Sequence, residues 1–214
     1  MKKIEVKLFT DFACPFCYIG HKMIEHIKDE LKDTVDLKIT PYFMEIHPEV
    51  NGDGWETSRI KTEKQYEVIN RSLELLGSPY GIEPQLGEHV ANSKKAIILR
   101  AYVSSVCPEK LAAYDEAVFD AYTVEFRNIG REEVLQEILD ETGIRVPVSE
   151  ALRHTMANIK YELDRAEAMA NYVMETPTFV IGSKRVSGAV EEETLVEIIK
   201  GQIYMICPFF HFPE

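Results

Sequence analysis

Cys14 and Cys17 stand three positions apart, with Pro15 and Phe16 between them and a run of alternating apolar and charged residues behind them. Disulfide exchange needs two sulfurs that can close a ring and one of them held as a thiolate. A pair at i and i+3 on the first turn of a helix supplies both, because those positions share a helix face. With Cys14 as N-cap and Pro15 as the first helical residue, the proline adds no unsatisfied N–H and its fixed φ favours helix initiation. The Cys14 sulfur then faces free N–H groups and the positive end of the helix dipole. Such placement lowers a thiol pKa from about 8.5 into a range of roughly 3.5–7.5. Cys14 is therefore read as the nucleophile, and Cys17, one turn inward, as the thiol that resolves a mixed disulfide.

Other readings of the same residues stay open at this point. The pair could be half of a zinc site completed by Cys107 or by the C-terminal Cys207-Pro208-Phe209-Phe210-His211, although these ligands are scattered, or two plain buried thiols. Asp11, three residues before Cys14, is a candidate pKa modulator or proton acceptor against the alternative of a turn aspartate. Cys107 and Cys207 each precede a proline and read as helix-boundary thiols with an auxiliary redox role as the alternative. The apolar tail around Phe209, Phe210 and Phe212 reads as a docked segment. His21, His26, His47, His89 and His154 fall singly, without metal-ligand spacing, and are expected to be structural, so no resident metal is expected.

The elements that must position the pair can be read from periodicity. Ile4, Val6 and Leu8 alternate with Lys3, Glu5 and Lys7, which predicts a half-buried strand ahead of the turn. Ile19, Met23, Ile24, Ile27 and Leu31 recur at helical spacing behind it, and Val35, Leu37 and Ile39 alternate again, giving a βαβ unit with parallel strands. The middle of the chain predicts helices over 59–76, 91–105, 109–123, 131–141 and 149–172, separated by turn formers. Thr178–Ile181 and Arg185-Val186 predict a hairpin turning at Gly182-Ser183, and a last helix begins at Glu191. The order implies a small mixed sheet interrupted by an all-helical insertion.

Composition narrows the partners. The 214 residues carry 36 acidic against 24 basic side chains, a formal charge of -12, which repels phosphate backbones and anionic headgroups. Nucleic-acid and membrane partners are thus not expected, and no apolar run approaches the roughly twenty residues of a membrane span. The N-terminal residues lack a signal-peptide core, because Glu5 and Lys7 interrupt them. The chain is expected to be cytoplasmic, where a close cysteine pair is more often redox-active or metal-binding than structural.

A second motif, Glu175-Thr176-Pro177-Thr178, places a proline directly before a strand. Taken with the upstream cysteine helix it resembles the thioredoxin superfamily, in which a cis-proline loop packs beside the active-site disulfide. Asp11-Phe12-Ala13-Cys14-Pro15-Phe16-Cys17-Tyr18-Ile19-Gly20 resembles the signature of DsbA-like oxidoreductases, specifically their FrnE-like cytoplasmic branch, and so do the segments 91–96, 121–130 and 187–189. Phe16 stands where relatives often carry tryptophan or histidine, so no imidazolium is there to stabilise the Cys14 thiolate.

The resemblance implies a thioredoxin-like α/β fold with a large all-helical insertion. It assigns 1–43 plus 174–214 to the thioredoxin-like domain and 44–173 to the helical insertion domain. It implies a thiol-disulfide oxidoreductase exchanging disulfides with protein or small-molecule thiols. Pro15, Phe16, Thr176, Pro177 and Asn92 would contact substrate, and no cofactor beyond the dithiol would be needed, with glutathione as a co-substrate. The competing reading is a glutathione-dependent isomerase or transferase of the 2-hydroxychromene-2-carboxylate isomerase or kappa-class type. Those relatives typically have serine at the position of Cys14.

Overall fold

The structure, a computed structural model, describes residues 1–204; Cys207 and the tail behind it lie outside the described residues. Strand β1 (Lys2–Thr10) runs straight into the cysteine turn, helix α1 (Pro15–Glu30) follows, and β2 (Val35–Phe43) returns parallel to β1 in register from Lys2 opposite Val35 to Thr10 opposite Phe43. Near the other end, β5 (Thr178–Ile181) pairs antiparallel with β1, setting Thr178 opposite Phe9, and β6 (Lys184–Ser187) pairs antiparallel with β5. The sheet order is β2-β1-β5-β6, so the strand that delivers the cysteines lies inside the sheet beside the strand that Pro177 opens. Helix α8 (Glu192–Tyr204) closes the described chain.

Between them run α2 (Glu63–Gly77), α3 (Lys94–Val106), α4 (Leu111–Thr123), α5 (Glu132–Glu141), α6 (Val148–Ala151) and α7 (Thr155–Ala170). Helix α2 starts later than periodicity predicts because Thr62 and Gln65 form a reciprocal capping box there. The single helix predicted over 149–172 is two, since the chain breaks at 152–154 and His154 caps the new helix through Ala157 N–H. Two short strands, β3 (Trp55–Glu56) and β4 (His89–Val90), pair inside the segment expected to be wholly helical. Two residues each are too few to leave an alternation in the sequence.

The apolar periodicities meet in layers. Ile4, Val6 and Leu8 pack with Ile24 and Ile27 of α1, Ile181 of β5, and Leu195 and Ile199 of α8 on one face of the sheet. Each such fully buried aliphatic contributes roughly 1.5–3 kcal/mol. On the other face Phe9 meets Ala168 and Val173 at the end of α7. The core of the helical segment extends through Phe119, Phe12 and Phe43 to Cys14 and Cys17 themselves. The dithiol thus sits where the helical core joins the sheet. No helix among the described residues is long and apolar enough to cross a membrane.

Candidate active site

Cys14 is the N-cap of α1, in extended backbone geometry, and Pro15 is the first helical residue. Its N–H donates to Asp11 O at 3.3 Å, and the Cys17 N–H donates to Cys14 O at 2.9 Å, which fixes the turn. Both thiols are free and buried, Cys14 at 5% exposure and Cys17 fully. The Cys14 thiol donates to Thr176 O at 3.6 Å, and Cys17 Sγ accepts the Asp11 N–H at 3.4 Å. The hydrogen bond from the Cys17 thiol holds the Cys14 pKa below the usual thiol value against burial, helped by Thr176 and the Cys17 N–H and opposed by the charge of Asp11. Burial, with Cys14 next to it, pushes Cys17 well up. Of the two sulfurs Cys14 is thus the readier to give up its proton and Cys17 the readier to keep it, the order that nucleophile and resolving thiol require.

Asp11 is fully buried. Its Oδ1 accepts the Ala13 N–H at 3.1 Å, inside the cysteine turn, and its Oδ2 accepts the Ile46 N–H at 2.8 Å, on the loop after β2. The Ser93 hydroxyl, enclosed and within no standard hydrogen bond among the described residues, lies near the carboxylate and favours its anion. Burial nevertheless prevails and raises the Asp11 pKa to about 6, with nearby Glu45 adding to the rise. One carboxylate therefore ties the dithiol turn to the loop that follows β2. Sequence spacing singled out Asp11 but gave no signal for Ser93 or Glu45, which reach it only through the tertiary fold.

The Thr176–Pro177 peptide is cis, as the resemblance predicts. Pro177 O accepts the Gly188 N–H at 2.8 Å, and Thr178 Oγ1 donates to Glu175 O at 2.7 Å, so the loop is braced on both sides. Thr176 Oγ1 is enclosed and, among the described residues, has no hydrogen-bond partner. Phe16, half-buried, and Pro177 border a narrow apolar cleft with Leu76 and Val190. Gly20 lets α1 approach this loop: a Cβ there would meet Pro177 Cβ and Phe179 Cζ at 3.3 Å.

Asn92 is committed elsewhere. Its amide donates to Val50 O at 2.8 Å and its Oδ1 accepts the Lys94 N–H at 3.0 Å, so it anchors the start of α3 to the long loop. Tyr18 stacks on Phe119 with centroids 5.1 Å apart and donates to Asp120 at 2.9 Å, clamping α1 to α4. Cys107 is half-buried at the end of α3, with burial raising its pKa. The one His and carboxylate cluster at metal-ligand distances among the described residues is His26, Glu30 and Glu192, away from both sulfurs at the far end of α1. There Glu192 already pairs with His26 at 3.0 Å and accepts from Tyr80 at 2.6 Å.

Comparison with known proteins places this geometry among relatives. A family model described as a DSBA-like thioredoxin domain matches residues 5–200. The uncharacterized protein YwbO of Bacillus subtilis is 22% identical over 93% of this chain and 97% of its own. Among solved structures, a probable DsbA oxidoreductase from Streptomyces coelicolor superposes with a TM-score of 0.82 at 17% identity, covering 98% of this chain and 94% of that one. A 2-hydroxychromene-2-carboxylate isomerase superposes with a TM-score of 0.66 at 19% identity, covering 93% and 95%.

Proposed function

Because the chain belongs to the DSBA-like thioredoxin domain family, we propose that it is a thiol-disulfide oxidoreductase whose redox centre is the Cys14–Cys17 pair. The observation that carries this reading is the opposed setting of the two sulfurs, Cys14 favouring its thiolate and Cys17 its thiol, with Cys14 against Thr176 O. The Cys14 thiolate attacks one sulfur of a substrate disulfide, forming a mixed disulfide and releasing the other substrate sulfur as a thiolate. Cys17 then loses its proton and attacks Cys14 Sγ, which frees the second substrate thiolate and leaves the Cys14–Cys17 disulfide. Two electrons have passed from protein to substrate, and the reverse sequence oxidises a dithiol. Cys14 and Cys17 do the chemistry, Pro15, Phe16, Thr176 and Pro177 form the rim that receives an extended thiol-bearing segment, and Asn92 shapes that rim by holding the loop at Val50.

No cofactor beyond the dithiol enters this reaction, and glutathione is a small thiol of suitable chemistry. The segments 11–20 and 91–96 support placement in the FrnE-like cytoplasmic branch, with 1–43 and 174–214 as the thioredoxin-like unit and 44–173 as its helical cover. Insulin reduction by a dithiol donor tests the assignment. Wild type is expected to turn over, Cys14→Ser to be inactive, and Cys17→Ser to accumulate a mixed disulfide through Cys14. The fold likeness to the isomerase supports a second reading, a glutathione-dependent isomerisation at Cys14. That chemistry has no use for a resolving thiol, so full activity of Cys17→Ser on a glutathione adduct, with no insulin reduction by wild type, would select it.

A further inference from the structure

A recess of about 330 Å³ opens on a different face of α1 from the Phe16 cleft, between α1, α4 and β2. Arg100 of α3 reaches it from below and is 8% exposed. Its Nε donates to Asp115 at 3.0 Å, and its guanidinium lies 4.3 Å from the centroid of Phe43. Among the described residues neither Nη of Arg100 has a hydrogen-bond partner, yet neither is sealed from solvent. Arg100 is one of the residues lining this recess. A buried guanidinium fixed by one carboxylate and one aromatic ring, with the fork of its two Nη groups left free, is preorganised for a second carboxylate held bidentately.

The surroundings define the ligand. His21 adds no charge to the recess: burial first, then Arg100 and Lys22, push it down to about 3, so that its imidazole is neutral. At the rim Lys22 pairs with Glu116 at 2.6 Å, while exposed Glu25 and Lys28 carry opposite charges. With Asp115, Glu116 and Glu25 nearby, a dianion is disfavoured and a single negative charge is accommodated. Ile39, Pro41 and Leu111, all half-buried, supply its apolar walls. The volume lies at the lower end of the roughly 300–1,000 Å³ typical of small-molecule sites. We propose that this recess binds a small apolar monocarboxylate, its carboxylate on both Nη groups of Arg100 and its body against Ile39 and Leu111.

The site uses neither sulfur, so its test is separate from that of the redox reading. Titration calorimetry of the full chain with sodium benzoate is expected to give saturable 1:1 binding. Benzamide, of the same shape without the charge, should bind about tenfold or more weaker. Arg100→Lys keeps the charge but loses the fork and should weaken benzoate by a similar factor. Because Arg100 is buried, Ala112→Trp provides the second variant: Ala112 lines the recess and is exposed, so an indole there would occupy the space a ligand needs. It should abolish benzoate binding while melting like wild type, and Cys14→Ser should bind benzoate unchanged. Equal affinity for benzoate and benzamide, undiminished binding by Ala112→Trp, or no saturable heat with millimolar benzoate would overturn the proposal.

Discussion

Asp11 shows at the scale of one residue how burial and hydrogen bonding contend over a charge. Its carboxyl titrates near 6 in the folded chain and near 3.9 when unfolded. A raised acid contributes stability that is full below about pH 4 and is lost as pH rises through about 6. Asp11→Asn removes that titration but leaves one of the Ala13 and Ile46 N–H groups without its acceptor, a cost of about 1–3 kcal/mol. Urea unfolding should therefore find the variant less stable than wild type at about pH 4, with the gap narrowing towards about pH 7. A gap that does not change with pH would show that no charge is involved. Since the Asp11 anion raises the Cys14 pKa, the thiolate absorbance of Cys14 should also appear at lower pH in Asp11→Asn. The two cysteines and Asp11 stood out by type and spacing, and Pro177 through the resemblance. Ser93 did not, because a buried serine leaves no periodic mark and its contact with Asp11 joins residues 82 positions apart.

The approach of α1 to the Pro177 loop is an element-scale property that rests on Gly20. Its missing Cβ leaves 3.3 Å to both Pro177 and Phe179, and valine would have to push the helix away from the sheet. Gly20→Val is expected to cost about 1–3 kcal/mol and to slow insulin reduction, because Cys14 would withdraw from Thr176 O. In contrast, among the described residues nothing lies within 4 Å of a Cβ at Gly201 in α8, and Gly201→Ala should stabilise by up to about 1 kcal/mol from helix propensity alone. Denaturant midpoints of the two variants check both. β2, α1 and the start of β1 were legible because buried and exposed side chains recur there at strand or helix spacing, which the two-residue β3 and β4 are too short to show. The break at 152–154 was not, since Leu152 and His154 suit a helix and the interruption arises from how α6 turns against α3 and α5.

At the scale of the molecule, the helical segment is held over the sheet by a few polar clamps set in apolar surroundings. Tyr161 of α7 donates to both carboxylate oxygens of Glu45 at 2.8 and 2.9 Å, and Glu45 is only 8% exposed. Tyr161→Phe leaves that buried carboxylate without its donor and is expected to lower stability by about 1–3 kcal/mol in denaturant unfolding. An unchanged midpoint would mean that water replaces the phenol. The order of elements made the mixed sheet and helical cover legible, whereas these clamps were not, because each joins side chains distant in sequence. The position of β1 has one more consequence, which concerns biosynthesis. Its parallel neighbour β2 is made within a few dozen residues, but β5 and the Thr176 carbonyl are encoded close to the far end. At about 5–20 residues per second, roughly 8–30 s separate the emergence of the two thiols from that of the loop that faces them. For that interval the nascent pair meets the redox environment of the ribosome's surroundings with one wall of its pocket still unmade.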